Sequence, residues 1–125
     1  MILVDSDILI DALRGREPVL DRLRTELQSF RVATSSISAF ELEAGVRSET
    51  EQTKVTTLLD ALPVVPFDWR AAKAAAKARR DLEETGRSIN MADYLIAGLA
   101  LAHGMPLWTR NRAHFERIPG IVLIE

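Results

Sequence analysis

Ile2, Leu3 and Val4 run directly into Asp5, Ser6 and Asp7, and apolar character resumes at Ile8. Burying an unpaired carboxylate is costly, so acids inside an apolar run need a partner that repays their desolvation. Two more acids raise the same question. Glu41 opens the helical stretch after a short apolar run, and Asp93 opens "NMADYLIAGLALAHG", which is apolar almost all round. Asp93 shares a helical face with Ile96, Ala97 and Ala100, which should point inward. Carboxylates gathered in a partly dry cleft repel one another unless a cation neutralises them. A donor set of oxygen without sulfur selects a hard ion, Mg²⁺ or Mn²⁺. The matching chemistry is metal-assisted phosphoryl transfer or phosphodiester hydrolysis.

Each acid also has a plainer explanation. Asp5 or Asp7 can cap the helix that follows. Ser38 and Glu41 have S-x-x-E capping-box spacing, and Asn90 and Asp93 repeat that interval. Asp7 stays open between helix cap and outer acid of the cluster.

The elements that must position these residues are legible as an alternation. Short apolar strands are expected at Ile2 to Asp5, "FRVATS", "PVVPF", "PLWT" and "IVLI". Helices are expected at "DILIDALRG", "EPVLDRLRTELQS", "AFELEAGVRS" from Ser38, "ETEQTKVTTLLDAL", "DWRAAKAAAKARRDLEETG" and "NMADYLIAGLALAHG", with a short turn at "NRAHF". Continuously apolar strands alternating with helices predict an α/β fold with a mostly parallel sheet of about five strands, covered on both faces. Such sheets carry ligands at the carboxyl ends of their strands. That edge would collect Asp5, Ser36, Ser38, Glu41, Asp93 and Asn111.

Composition limits the alternatives. The 125 residues suggest one domain over 1–125, and 47% hydrophobic content fits a soluble globular protein. Without cysteine there is no disulfide, thiolate metal site or cysteine nucleophile, which suits a cytoplasmic location. The only histidines, His103 and His114, cannot build an imidazole cage. No apolar run is long enough to span a membrane, and no basic segment precedes the N-terminal apolar stretch. A net charge of −2 leaves nucleic-acid binding to local basic residues, with Arg14, Arg110 and Arg112 nearest the motifs and Arg16, Arg47 and Arg87 also beside them. Arg79 and Arg80 are expected at the surface, Trp69 and Trp108 in packing, and His103 as a favourable residue at a helix C-terminus.

The segments "MILVDSDILIDAL", "SSISAFELEAGV", "NMADYLIAGLALAHGMPLWTRN" and "RAHFERIPGIVLI" together resemble a PIN-domain ribonuclease of the VapC type, the toxin of bacterial toxin–antitoxin pairs. The resemblance spans essentially the whole chain. It implies a three-layer α/β/α sandwich and a Mg²⁺-dependent endoribonuclease, with Mn²⁺ as a substitute ion. Asp5, Glu41 and Asp93 are then the catalytic and metal-binding acids. Asp7, Ser6, Thr109, Asn111 and His114 are auxiliary, and Arg14, Arg110 and Arg112 grip RNA. It further implies a homodimer, neutralised in a heterotetramer or larger assembly by a cognate antitoxin whose C-terminal segment wraps the toxin. One position departs from the family's common pattern: His114 stands where a fourth acid is frequent, and imidazole is a poorer ligand than carboxylate for Mg²⁺.

Two other readings use the same residues. A haloacid-dehalogenase-like phosphatase would use Asp5 as nucleophile and Asp7 as acid/base, but the expected Gly-rich turn and later G-D-x-x-x-D run are missing. A catalytically weak PIN-like binding module would leave the three acids as an unrewarded desolvation cost.

Overall fold

The computed structural model describes residues 1–124. The elements follow in the order β1 (Ile2–Val4), α1 (Ser6–Leu13), α2 (Val19–Gln28), β2 (Val32–Ser35), α3 (Ser36–Ala44), α4 (Glu49–Asp60), β3 (Val64–Val65), α5 (Trp69–Glu84), α6 (Met91–His103), β4 (Leu107–Trp108) and α7 (Arg112–Phe115). The four strands form one sheet in the order β3-β2-β1-β4, and every pair is parallel. The segment expected as a fifth strand touches β4 through a parallel bridge at Leu123.

Side chains alternate across a strand, so the short strands feed two cores. Leu3 and Leu107 face one side, where Ile96, Leu99, Phe115 and the small residues of α5 pack. Val4 and Trp108 face the other, with Ile8, Leu9, Leu23, Leu42 and Val55. The helices therefore cover the sheet in two layers, α5, α6 and α7 opposite α1 to α4. Trp108 is buried as expected, with the Arg22 guanidinium 4.6 Å from its ring centroid. Trp69 departs from expectation. It is 75% exposed, because it is the first residue of α5 and precedes the inward face that Ala71 begins.

Strand and helix join almost without loops. Asp5 alone separates β1 from α1, and α3 starts on the residue after β2. Asp5, not Asp7, is the N-cap of α1: its Oδ1 accepts from the Ser6 amide at 2.7 Å. Ser35, not Ser38, caps α3 by accepting from the Ser38 amide. The expected Ser38–Glu41 capping box is therefore absent, and the Glu41 carboxylate turns elsewhere. Asn90 does cap α6, accepting from the Asp93 amide at 2.9 Å.

Between α5 and α6 the backbones nearly touch. A Cβ on Gly98 would lie 2.5 Å from the Ala71 carbonyl oxygen and 2.6 Å from the Ala75 Cβ. Only glycine permits that approach, which draws α6 down onto the α5 layer.

Candidate active site

The carboxyl end of β1 is the centre of the site. Asp5 is only 5% exposed, and its second oxygen accepts from the Thr109 hydroxyl at 2.7 Å. Thr109 follows β4, the neighbouring strand, so two adjacent strand ends meet through one hydrogen bond. Ser6 extends the site toward α3 by donating from Oγ to Glu41 Oε1 at 3.1 Å. This is where the carboxylate freed from the capping role points.

Asp93 enters from the first turn of α6 and is buried. Its Oδ2 accepts from Asn111 Nδ2 at 2.7 Å and from Asn90 Nδ2 at 3.1 Å. His114 Nδ1 lies 2.9 Å from the same oxygen, a donor contact in the tautomer with hydrogen on Nδ1. Asn111, the residue before α7, makes no side-chain cap, and its Nδ2 donates to Asp93. His114 therefore contacts the site instead of standing apart on the surface of its short helix.

Asp7 lies one residue into α1 and turns toward the loop after β4. Its Oδ2 accepts from the Arg110 amide at 3.0 Å and lies 3.3 Å from the Thr109 hydroxyl. Its Oδ1 is buried without a hydrogen-bond partner among the described residues. This geometry disfavours the phosphatase reading: α1 starts immediately after Asp5, and Asp7 is bound to a loop backbone.

Electrostatics tie the acids together. Burial pushes the Asp5 carboxyl up to about 7, and the charges of Asp7 and Asp93 add to it against the Thr109 and Ser6 hydrogen bonds. Burial also raises Glu41, opposed by its Ser6 hydrogen bond and reinforced by Asp93 and Asp7. Asp7 is raised by burial, and the Arg110 amide opposes the shift.

No three ligating side chains are already gathered around a common cation position among the described residues. The donor chemistry nonetheless fits a hard divalent ion: Asp5, Glu41 and Asp93 supply oxygen, their charges oppose one another, and Asp7 Oδ1 is orphaned beside them.

The basic residues divide. Arg14 shares a cavity wall with Glu41, Gly45 and Lys54 and has no ion pair among the described residues. Arg110 places Nε 3.1 Å from Asp11 Oδ2, and Arg112 donates to the Ile124 carbonyl at 2.8 Å and faces Glu116. Both expected RNA contacts thus already serve partners within the chain. Arg79 pairs with Glu83 at the surface as expected, and His103 ends α6 beside Asp68. Sequence reasoning missed Asp11, which is buried yet ion-paired to both Arg16 and Arg110. Its available signal was spacing: Asp7 and Asp11 are four residues apart and share a helix face.

The family model for the PIN domain matches residues 2–121. Ribonuclease VapC10 of Mycobacterium tuberculosis is 36% identical over 115 residues, covering 92% of this chain and 86% of the relative. The tRNA(fMet)-specific endonuclease VapC of Salmonella typhimurium is 31% identical, covering 95% and 92%. Among solved structures, VapBC2 from Rickettsia felis bound to a DNA fragment from its promoter superposes with a TM-score of 0.87 at 26% identity, covering 99% of this chain and 98% of that one. This chain belongs to the PIN domain family and, within it, to the VapC ribonucleases.

Proposed function

We propose that this chain is a divalent-metal-dependent endoribonuclease and the toxin of a toxin–antitoxin pair, with Asp5, Glu41 and Asp93 as its catalytic acids. The observation that carries the reading is that acids from β1, α3 and α6 lie within one another's electrostatic reach: Asp93 raises both Asp5 and Glu41, and burial with neighbouring charge lifts Asp5 to about 7. Asp5, Glu41 and Asp93 would hold Mg²⁺ or Mn²⁺, which when bound would supply Lewis-acid polarisation of the phosphate and a more acidic water.

The chain's own residues prepare that chemistry. The Ser6 amide and the Thr109 hydroxyl each fix one Asp5 oxygen, whose second lone pairs face a ligand, and the Ser6 hydroxyl fixes Glu41 Oε1, leaving Oε2 for a ligand. Asn90, Asn111 and His114 converge on Asp93 Oδ2 and fix its orientation. Arg14, beside Glu41, has a guanidinium available to an incoming RNA phosphate. Hydrolysis places the water oxygen on phosphorus and breaks one phosphorus–oxygen ester bond.

The Salmonella relative's name makes tRNA the first substrate to try. The VapBC complex of Rickettsia felis supports a small cognate antitoxin as partner. We assign the toxin to a homodimer that the antitoxin joins in a heterotetramer or larger assembly in the cytoplasm. Among the described residues no helix is long and apolar enough to cross a membrane.

The deciding assay incubates bulk tRNA with the purified chain and Mg²⁺ or Mn²⁺, alongside Asp93→Asn and a chelator control. Cleavage that requires the ion and disappears in the variant supports the reading. Cleavage that ignores the chelator or survives Asp93→Asn overturns it.

A further inference from the structure

The Asp11 carboxylate is 4% exposed and lies outside the acidic cluster, yet each of its oxygens holds a guanidinium. Oδ1 is 3.0 Å from Arg16 Nη1, and Oδ2 is 3.1 Å from Arg110 Nε. The arginine side chains are half exposed, at 53% and 54%. A lone exposed ion pair contributes little, but here the shared acid is buried, so its partners are strongly constrained.

What Arg110 belongs to gives the pair its meaning. It lies between Thr109, which donates to Asp5, and Asn111, which donates to Asp93. The Asn111 amide also donates to the Thr109 hydroxyl oxygen at 3.0 Å, which makes the three residues one unit. Helix α1 grips this unit twice on a single face: Asp7 accepts from the Arg110 amide, and Asp11 holds the Arg110 side chain. Thr109 and Asn111 are anchored on the acids themselves, so the two grips of α1 are what holds the residue between them.

We infer that Asp11 is a positioning residue for the nuclease site. Through Arg110 it sets the Thr109–Asn111 loop, and through that loop the orientation of Asp5 and Asp93. The inference rests on the nuclease reading above only for its consequence in catalysis; the clamp itself is a statement about loop order. Placement of catalytic groups is worth large factors in rate, and an error of about 1 Å can reduce rate about 100-fold.

The test compares the wild-type chain with Asp11→Asn, Arg110→Gln and the double variant, with exposed Asp21→Asn as control. Amide hydrogen exchange at residues 109–111 is the first readout and needs no substrate. Asp11→Asn and Arg110→Gln should each accelerate exchange at the Arg110 amide about tenfold, with the double variant no faster than either single one. Cleavage of tRNA is the second. kcat should fall about tenfold or more with KM for RNA changed less than about threefold, and the two substitutions should again be non-additive. Additive effects, or exchange and kcat both within about twofold of wild type, overturn the inference. If Asp11→Asn does not fold, exposed Arg110→Gln carries the same two readouts. If wild type cleaves no RNA while the exchange pattern holds, the nuclease reading fails and the clamp stands.

Discussion

The carboxyl edge of the sheet and the α5–α6 interface are built on opposite rules. Along α5 and α6, Ala71, Ala75 and Gly98 allow two backbones to approach until no further atom fits. At the sheet edge, Asp5, Asp93 and the orphaned Asp7 Oδ1 occupy space that apolar atoms could fill at lower free energy. The first region supplies stability and the second consumes it. They share α6, whose first turn carries Asp93 and whose middle carries Gly98. Close packing of that helix lets its end hold a charge in place, a pairing expected where binding chemistry rides on a rigid element.

The sharpest way to separate the regions is Asp93→Asn. Cleavage should fall by about 10³-fold, a loss typical of removing a central electrostatic group, while thermal denaturation shows a melting temperature equal to or above wild type. A large drop in melting temperature would show that the acidic edge contributes to stability after all.

A second measurement follows stability against pH in chelator. The folded chain keeps the Asp5 proton until about pH 7, whereas the unfolded chain releases it near the ordinary value of 3.8. Protons are then held more tightly by the folded state across that window. Stability should be greatest at its acid end and fall by about 4 kcal/mol as pH rises through it. Saturating Mg²⁺ should restore much of the loss at pH 7, seen as a raised denaturation midpoint.

At the other region, Gly98→Ala should destabilise the fold by about 2 kcal/mol, because the new methyl meets backbone atoms and not a yielding side chain. Urea denaturation with unchanged slope would report it. The smallest effect belongs to the start of α5. Asp68→Ala removes the cap that accepts from the Ala71 amide and the contact with His103, and should lower the melting temperature only slightly without altering cleavage.

The parallel sheet was legible because its strands are too short and too apolar to be read otherwise, and Asn90 and Asp68 mark helix starts that the structure keeps. Asp5, Glu41 and Asp93 were legible as acids in apolar surroundings. The capping assignments were not. Asp5 and Asp7 are equally good caps in sequence, and only the path of the chain from β1 decides that Asp5 takes the Ser6 amide. Ser35, Ser36 and Ser38 pose the same ambiguity, settled when Ser35 ends β2 and Ser36 accepts from the Phe67 amide. Asp11 was overlooked for another reason: its spacing from Asp7 marks a shared helix face, but nothing local announces that its partner Arg110 lies across the fold. Trp69 was misjudged because composition near a strand says nothing about which turn of a helix faces inward.

The Thr109 hydroxyl owns a single hydrogen and faces two carboxylates, at 2.7 Å and 3.3 Å. Counting hydrogens, not charges, the pocket is short of donors: one acid oxygen competes for that hydrogen and Asp7 Oδ1 has none at all. A phosphodiester group brings only further acceptors, so the scissile phosphate cannot make up the deficit by itself. Whatever completes this pocket has to carry hydrogens or positive charge in with it, and water, a metal ion and a basic side chain from a protein partner all meet that one requirement. Activation and inhibition would then be rival answers to the same shortage.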